Sequence, residues 1–92
     1  MDLSELRVEM DEIDAGLVAL FQRRMELSAK IAAYKAEKGM AVTDPKREEE
    51  KLQAVVAQVA PKFAEDVQEL YRLLITLSKG YQNRRRSAPS SA

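Results

Sequence analysis

The sequence predicts an all-α protein with three helices per chain, the N-terminal one very long, assembled as an intertwined helical homodimer. Three observations carry this prediction. Aromatic residues make up only 5% of the 92 positions, with three glycines and three prolines, a composition that suits helices better than a sandwich of short strands. Apolar side chains recur in alternating steps of three and four, at Leu3, Leu6, Met10, Ile13, Leu17, Leu20, Leu27, Ile31 and Tyr34, which is one face of a helix. No stretch alternates with the period of two that a half-buried strand needs.

The first helix is expected from about Leu3 to Lys38. Asp2 or Ser4 can cap it, because a short polar side chain accepts from the free N–H groups of the first turn. Gly16 is its one internal breaker and costs about 1 kcal/mol relative to alanine, which a long helix tolerates. Gly39 is a stop signal. "MAVTDP" then connects to a second helix, with Asp44 as N-cap and Pro45 at the first helical position. That helix is expected to run to about Ala60 and to be ended by Pro61. A third starts near Ala64–Glu65 and runs to about Arg84, with an apolar stripe at Val67, Leu70, Leu74, Leu77 and Tyr81. Residues 1–86 thus read as one helical domain. The end, 87–92 ("SAPSSA"), reads as a disordered tail.

The length of the first helix predicts the dimer. Thirty-six residues span roughly 54 Å. A compact chain of this size has a radius of gyration of about 12 Å, hence a diameter near 30 Å. The overhanging apolar seam needs a cover, and a second copy of the chain is the simplest one.

Composition also excludes function classes. There is no cysteine and no histidine, so thiolate ligands, zinc chemistry and histidine-based hydrolysis are not expected. Lys plus Arg equals Asp plus Glu at 15 each, which gives no global field for nucleic acid. The run Arg84–Arg86 suits the negative end of a helix dipole. No apolar run approaches the roughly 20 residues of a membrane span, and no signal peptide is visible at the start. The expected location is the cytoplasm.

One position breaks the seam. Arg24 falls where the three-four pattern asks for an apolar residue, and a buried, unpaired guanidinium costs several kcal/mol. Something anionic is expected to face it. At 100° per residue, Lys35 lies about 20° from Arg24 and shares its face, as does Ser28. Arg7 is rotated by about 100° and cannot reach the same pocket from its own helix, though it could reach the pocket of a partner chain. Ser78 and Gln82, spaced i, i+4, edge into the stripe of the third helix. Arg47 and Glu48 stand at the positive end of the second. Together these residues suit a small dicarboxylate that also carries a hydroxyl, since arginine matches carboxylates in a bidentate way. Each has a plainer reading. Arg24 could bridge to Glu26, Glu48 or Glu49. Lys35 could snorkel to water, and Arg47 could belong to a solvated charge cluster.

The segments "LRVEMDEID", "RRMELSAKIAAYK", "VTDPKRE" and "LLITLSKGYQ" make the chain resemble the all-helical class of chorismate mutases over about Leu3 to Gln82. The resemblance implies an intertwined dimer of three-helix chains that rearranges chorismate to prephenate, on the way to phenylalanine and tyrosine, without a cofactor. It implies that Arg24 holds one substrate carboxylate and that Arg7 reaches across from the partner chain to a carboxylate. Lys35 then contacts a carboxylate and the ether oxygen, to which Gln82 donates. Arg47 is a further cation. Asp44 and Glu48 stand near the substrate hydroxyl, with Glu48 the better-placed acceptor, and Ser78 is a carboxylate-side contact. The catalytic set implied is Lys35, Gln82, Arg24 and Glu48. The connector "AQVAPKFAEDV", without a glycine, and Gly80 in the third helix depart from the family's usual pattern. Two neighbouring readings use the same scaffold, isochorismate-pyruvate lyase and aminodeoxychorismate mutase. A reading of another class is a non-enzymatic helical dimerisation module, in which Arg24 and Lys35 would have structural acid partners and no pocket would exist.

Overall fold

The computed structural model describes residues 2–87 and contains three α-helices: α1 (Leu3–Glu37), α2 (Pro45–Gln58) and α3 (Ala64–Ser87). A single 3₁₀ turn at Pro61–Phe63 leads into α3. Among the described residues there is no strand, and no helix is long and apolar enough to cross a membrane.

The local chemistry explains each boundary. Asp2 and Glu5 form a capping box on α1: Glu5 N donates to Asp2 Oδ1 at 2.9 Å and Asp2 N donates to Glu5 Oε2 at 3.2 Å. At its other end Gly39 takes a left-handed φ of 66°. Gly39 N donates to Ala36 O at 3.2 Å and Met40 N to Lys35 O at 2.7 Å, so the chain reverses with the last carbonyls satisfied. Asp44 caps α2, accepting from Arg47 N at 3.2 Å, with Pro45 at the first position. Helix α2 is two residues shorter than the sequence suggests. It stops at Gln58 because Val59 is already extended, and the residue before Pro61 is also driven away from helical backbone. Helix α3 runs three residues past Arg84, to Ser87. The remainder of the expected tail, 88–92, lies outside the described residues.

Helix α3 packs against both α1 and α2. Leu52 and Val55, spaced i, i+3 on α2, are buried against it, and Ala32 and Val42 complete the buried apolar set among the described residues. That is a very small core. The molecule measures 54 × 32 × 14 Å with a radius of gyration of 16.7 Å, against about 12 Å for a compact chain of this length. A depth of 14 Å is one layer of helices, whereas a stable domain needs two packed layers. The α1 seam lies bare in the single chain: Leu6, Met10, Ile13, Leu17, Leu27 and Ile31 are exposed, and Leu20 is 63% exposed.

Candidate active site

The buried polar residues lie at the α1–α3 contact, where a core would ordinarily be apolar. Ser28 is 3% exposed, Ser78 is 7% and Gln82 is 6%, as buried as the leucine and valine of the core. Buried polar groups must be hydrogen-bonded or they destabilise the fold. The first two satisfy this in a ring with Arg24. Arg24 Nη1 donates to Ser78 Oγ at 2.6 Å, and Ser28 Oγ donates to Arg24 O at 3.1 Å. The two hydroxyls are 3.1 Å apart. Each has one proton, and that of Ser28 goes to Arg24 O, so Ser78 supplies the proton between them. The ring fixes the start of the Arg24 side chain and aims its guanidinium. Leu74 O accepts a longer bond at 3.5 Å, and the Tyr71 ring centroid lies 5.8 Å from the guanidinium carbon.

Gln82 is different. Its Oε1 is buried and has no hydrogen-bond partner among the described residues. An unmet buried acceptor costs about 1–3 kcal/mol. The same is true of Glu48 Oε2. Two orphaned polar atoms beside one cleft mark a place where a ligand completes the hydrogen bonding. A half-turn about the last side-chain bond of Gln82 exchanges its carbonyl for its NH₂, so the amide can accept or donate there.

The cleft itself holds about 290 Å³. Arg24 and Lys35 line it from α1, Val42 and Asp44 from the connector, and Arg47 and Glu48 from the first turn of α2. Ser78, Gln82, Ile75 and Lys79 close it from α3, and Ile31 adds an apolar wall from α1. Lys35 is aimed by the chain reversal after α1, its Nζ donating to Val42 O at 3.0 Å. Among the described residues Arg24, Lys35 and Arg47 form no ion pair with the protein's own acids, and with Lys79 they set four cations against two carboxylates, Asp44 and Glu48, in the cleft lining. The sole ion pair among these residues joins Lys79 Nζ to Glu48 Oε1 at 2.9 Å.

Seven of the eight residues singled out in the sequence line this cleft: Arg24, Lys35, Asp44, Arg47, Glu48, Ser78 and Gln82. The eighth, Arg7, does not. It lies exposed on α1, 17 residues and about 25 Å along the helix from Arg24. Asp44 has a structural task besides, since its Oδ1 caps α2. Lys79 was missed. The signal was there in its position, three residues before Gln82 and four after Ile75, which puts it on the cleft-facing side of α3.

The sequence model of the chorismate mutase type II family matches residues 6–83, which include all eight residues. The "T-protein" of Haemophilus influenzae is 31% identical over 83 residues, covering 88% of this chain, and the chain spans 22% of the length of that relative. No solved structure matches the chain significantly. With residues 6–83 of its 92 matched, this chain belongs to the chorismate mutase type II family.

Proposed function

We propose that this chain catalyses the Claisen rearrangement of chorismate to prephenate, as a homodimer whose two clefts are each completed by Arg7 of the partner subunit. The observation that carries the reading is the cleft of about 290 Å³ with three cations in no ion pair and two polar atoms without a hydrogen-bond partner among the described residues. Chorismate is a dianion with an ether oxygen and a hydroxyl. Arg24 and the partner's Arg7 take its carboxylates and select the folded conformer in which the reacting carbons approach. The C–O bond breaks ahead of C–C formation, so negative charge grows on the ether oxygen. Lys35 and the Gln82 amide donate to it, and they bind the transition state more tightly than the substrate. Ser78 holds Arg24 and stands beside the carboxylate. Arg47 adds positive charge, and Glu48, with Asp44 near it, accepts a hydrogen bond from the hydroxyl. An acceleration near 10⁶ requires about 8 kcal/mol, within reach of two charge-assisted hydrogen bonds and conformer selection. No nucleophile or proton shuttle is needed, which fits a chain without histidine or cysteine.

The dimer is supported by the single-layer shape and by the bare seam of α1. An apolar hollow of about 350 Å³, lined by Leu17, Leu20, Phe21, Leu70, Tyr71 and Leu74, adjoins Arg24 and suits an incoming helix. The numbers agree as well. If two α1 helices pair antiparallel, Arg7 reaches the height of the partner's Arg24 when the two-fold axis crosses midway, at Ala15–Gly16. Both residues are small, and a Cβ added at Gly16 meets nothing within 4 Å.

The dimerisation-module reading requires acid partners for Arg24 and Lys35 and no cleft, and neither requirement is met. The direct test is loss of chorismate absorbance with wild type and Gln82→Ala. Wild type is expected to convert chorismate to prephenate, and the variant to lose roughly 10²-fold or more in kcat. An inert wild type, or salicylate released from isochorismate instead, would overturn the proposal.

A further inference from the structure

We infer that Lys79 sets substrate specificity: its ammonium holds Glu48 as an acceptor for a neutral hydroxyl and turns away a substrate bearing an ammonium at the same place. This rests on the chorismate reading above. Lys79 differs from the other cations of the cleft, since it is the one that is ion-paired among the described residues, its Nζ 2.9 Å from Glu48 Oε1. Glu48 arrives from the first turn of α2 and Lys79 from α3, 31 residues later, so the pair also ties the two helices at the cleft edge. Both side chains are part-buried, Lys79 at 32% exposure and Glu48 at 25%, where charges are screened less than in open water.

The consequence lies in the two oxygens of one carboxylate. Lys79 occupies Oε1. Oε2 is buried and has no partner among the described residues, so it is the oxygen left for a ligand. Of the substrate's polar groups (two carboxylates, an ether oxygen and a hydroxyl) only the hydroxyl has a proton to give, so it alone can meet an ionised carboxylate. Glu48 by itself would present a full negative charge, which attracts an ammonium more strongly than a hydroxyl. Glu48 with Lys79 presents no net charge, and an ammonium at Oε2 would stand across one carboxylate from another cation, a like-charge placement that excludes wrong partners. Lys79 is therefore a positioning residue, acting through Glu48.

The test compares chorismate with its analogue in which an amino group replaces the hydroxyl, scored as KM and kcat for the first and as inhibition constant for the second. Lys79→Met, uncharged and of similar length, is expected to raise the chorismate KM about tenfold with kcat changed less than about threefold. The amino analogue is expected to bind tighter, so that preference for the hydroxyl falls by more than about tenfold. Lys79→Arg, which keeps the charge, is expected to hold the preference within about threefold. Because the preference is a ratio measured on one preparation, partial unfolding of a variant does not move it, and Lys79→Gln serves if the methionine variant fails to fold. A preference within about twofold of wild type in the uncharged variants overturns the inference while leaving the mutase reading intact. A wild type inert towards chorismate overturns both.

Discussion

At the scale of single residues, Arg24 is where an apolar seam gives way to chemistry. A guanidinium there is tolerated because Ser78 and the carbonyl of Leu74 accept its protons and the Tyr71 ring lies beneath it. The ring of hydrogen bonds through Ser28 also fixes where the fork points. Lysine cannot reproduce this, having a point charge in place of a planar fork. Arg24→Lys is expected to lower kcat/KM by roughly 10²-fold in steady-state kinetics, a charge-assisted hydrogen bond being worth about 1.5–3 kcal/mol; a loss below about threefold would mean that the fork is not used. Gln82 makes a second prediction. An amide has no proton that titrates between about pH 6 and 8, so kcat is expected to be flat across that window. Gln82→Glu donates only when protonated. Its kcat is therefore expected to be highest at low pH and to fall as pH rises, and a sloping wild-type profile would contradict the role given to the amide.

At the scale of elements, the cleft depends on where helices stop. Helix α1 ends because Gly39 adopts φ 66°, and the same reversal returns Val42 to accept from Lys35. Gly39→Ala imposes a side chain on left-handed backbone and is expected to destabilise by about 1–2 kcal/mol. That is a fall of roughly 4–16 °C in melting temperature at fixed protein concentration. Such signals act over one turn, which is why the Asp44–Pro45 start and the Gly39 stop were legible in the sequence, while the first cap was narrowed to Asp2 or Ser4 and falls on Asp2. The end of α2 was less so, since Val59 turns extended ahead of the Pro61 that was expected to end the helix. The face shared by Arg24, Ser28 and Lys35 followed from helix angles alone. The position of Lys79 on the cleft side of α3 was legible, but its pairing was not, because Glu48 sits 31 residues away on another helix and only the register of α2 against α3 brings them together. The family resemblance did not supply it either, having assigned roles to Ser78 and Gln82 but none to Lys79.

At the scale of the whole molecule, a slab 14 Å deep with its leucines bare is the shape that the proposed dimer would complete. Burial of apolar area contributes about 25 cal/mol per Å², and a single layer can gain little of it. A charge placed in the seam, as in Leu20→Glu, is expected to yield monomers with reduced helicity in light scattering and circular dichroism; a well-folded, active monomer would contradict the two-layer argument. The proposed function rests on the same geometry: Arg24, Lys35 and Gln82 line the cleft from one chain, and the proposal takes Arg7 from the other. The most direct measurement mixes two variants, Arg7→Ala and Gln82→Ala, each expected to be nearly inactive with chorismate. Unfolded together and refolded at equal amounts, about half of the dimers are mixed, and each mixed dimer holds one intact site and one doubly defective site. Turnover is expected to recover to about a quarter of the wild-type value per chain. No recovery, in a preparation where mixed dimers are demonstrably present, would contradict a site shared between two chains.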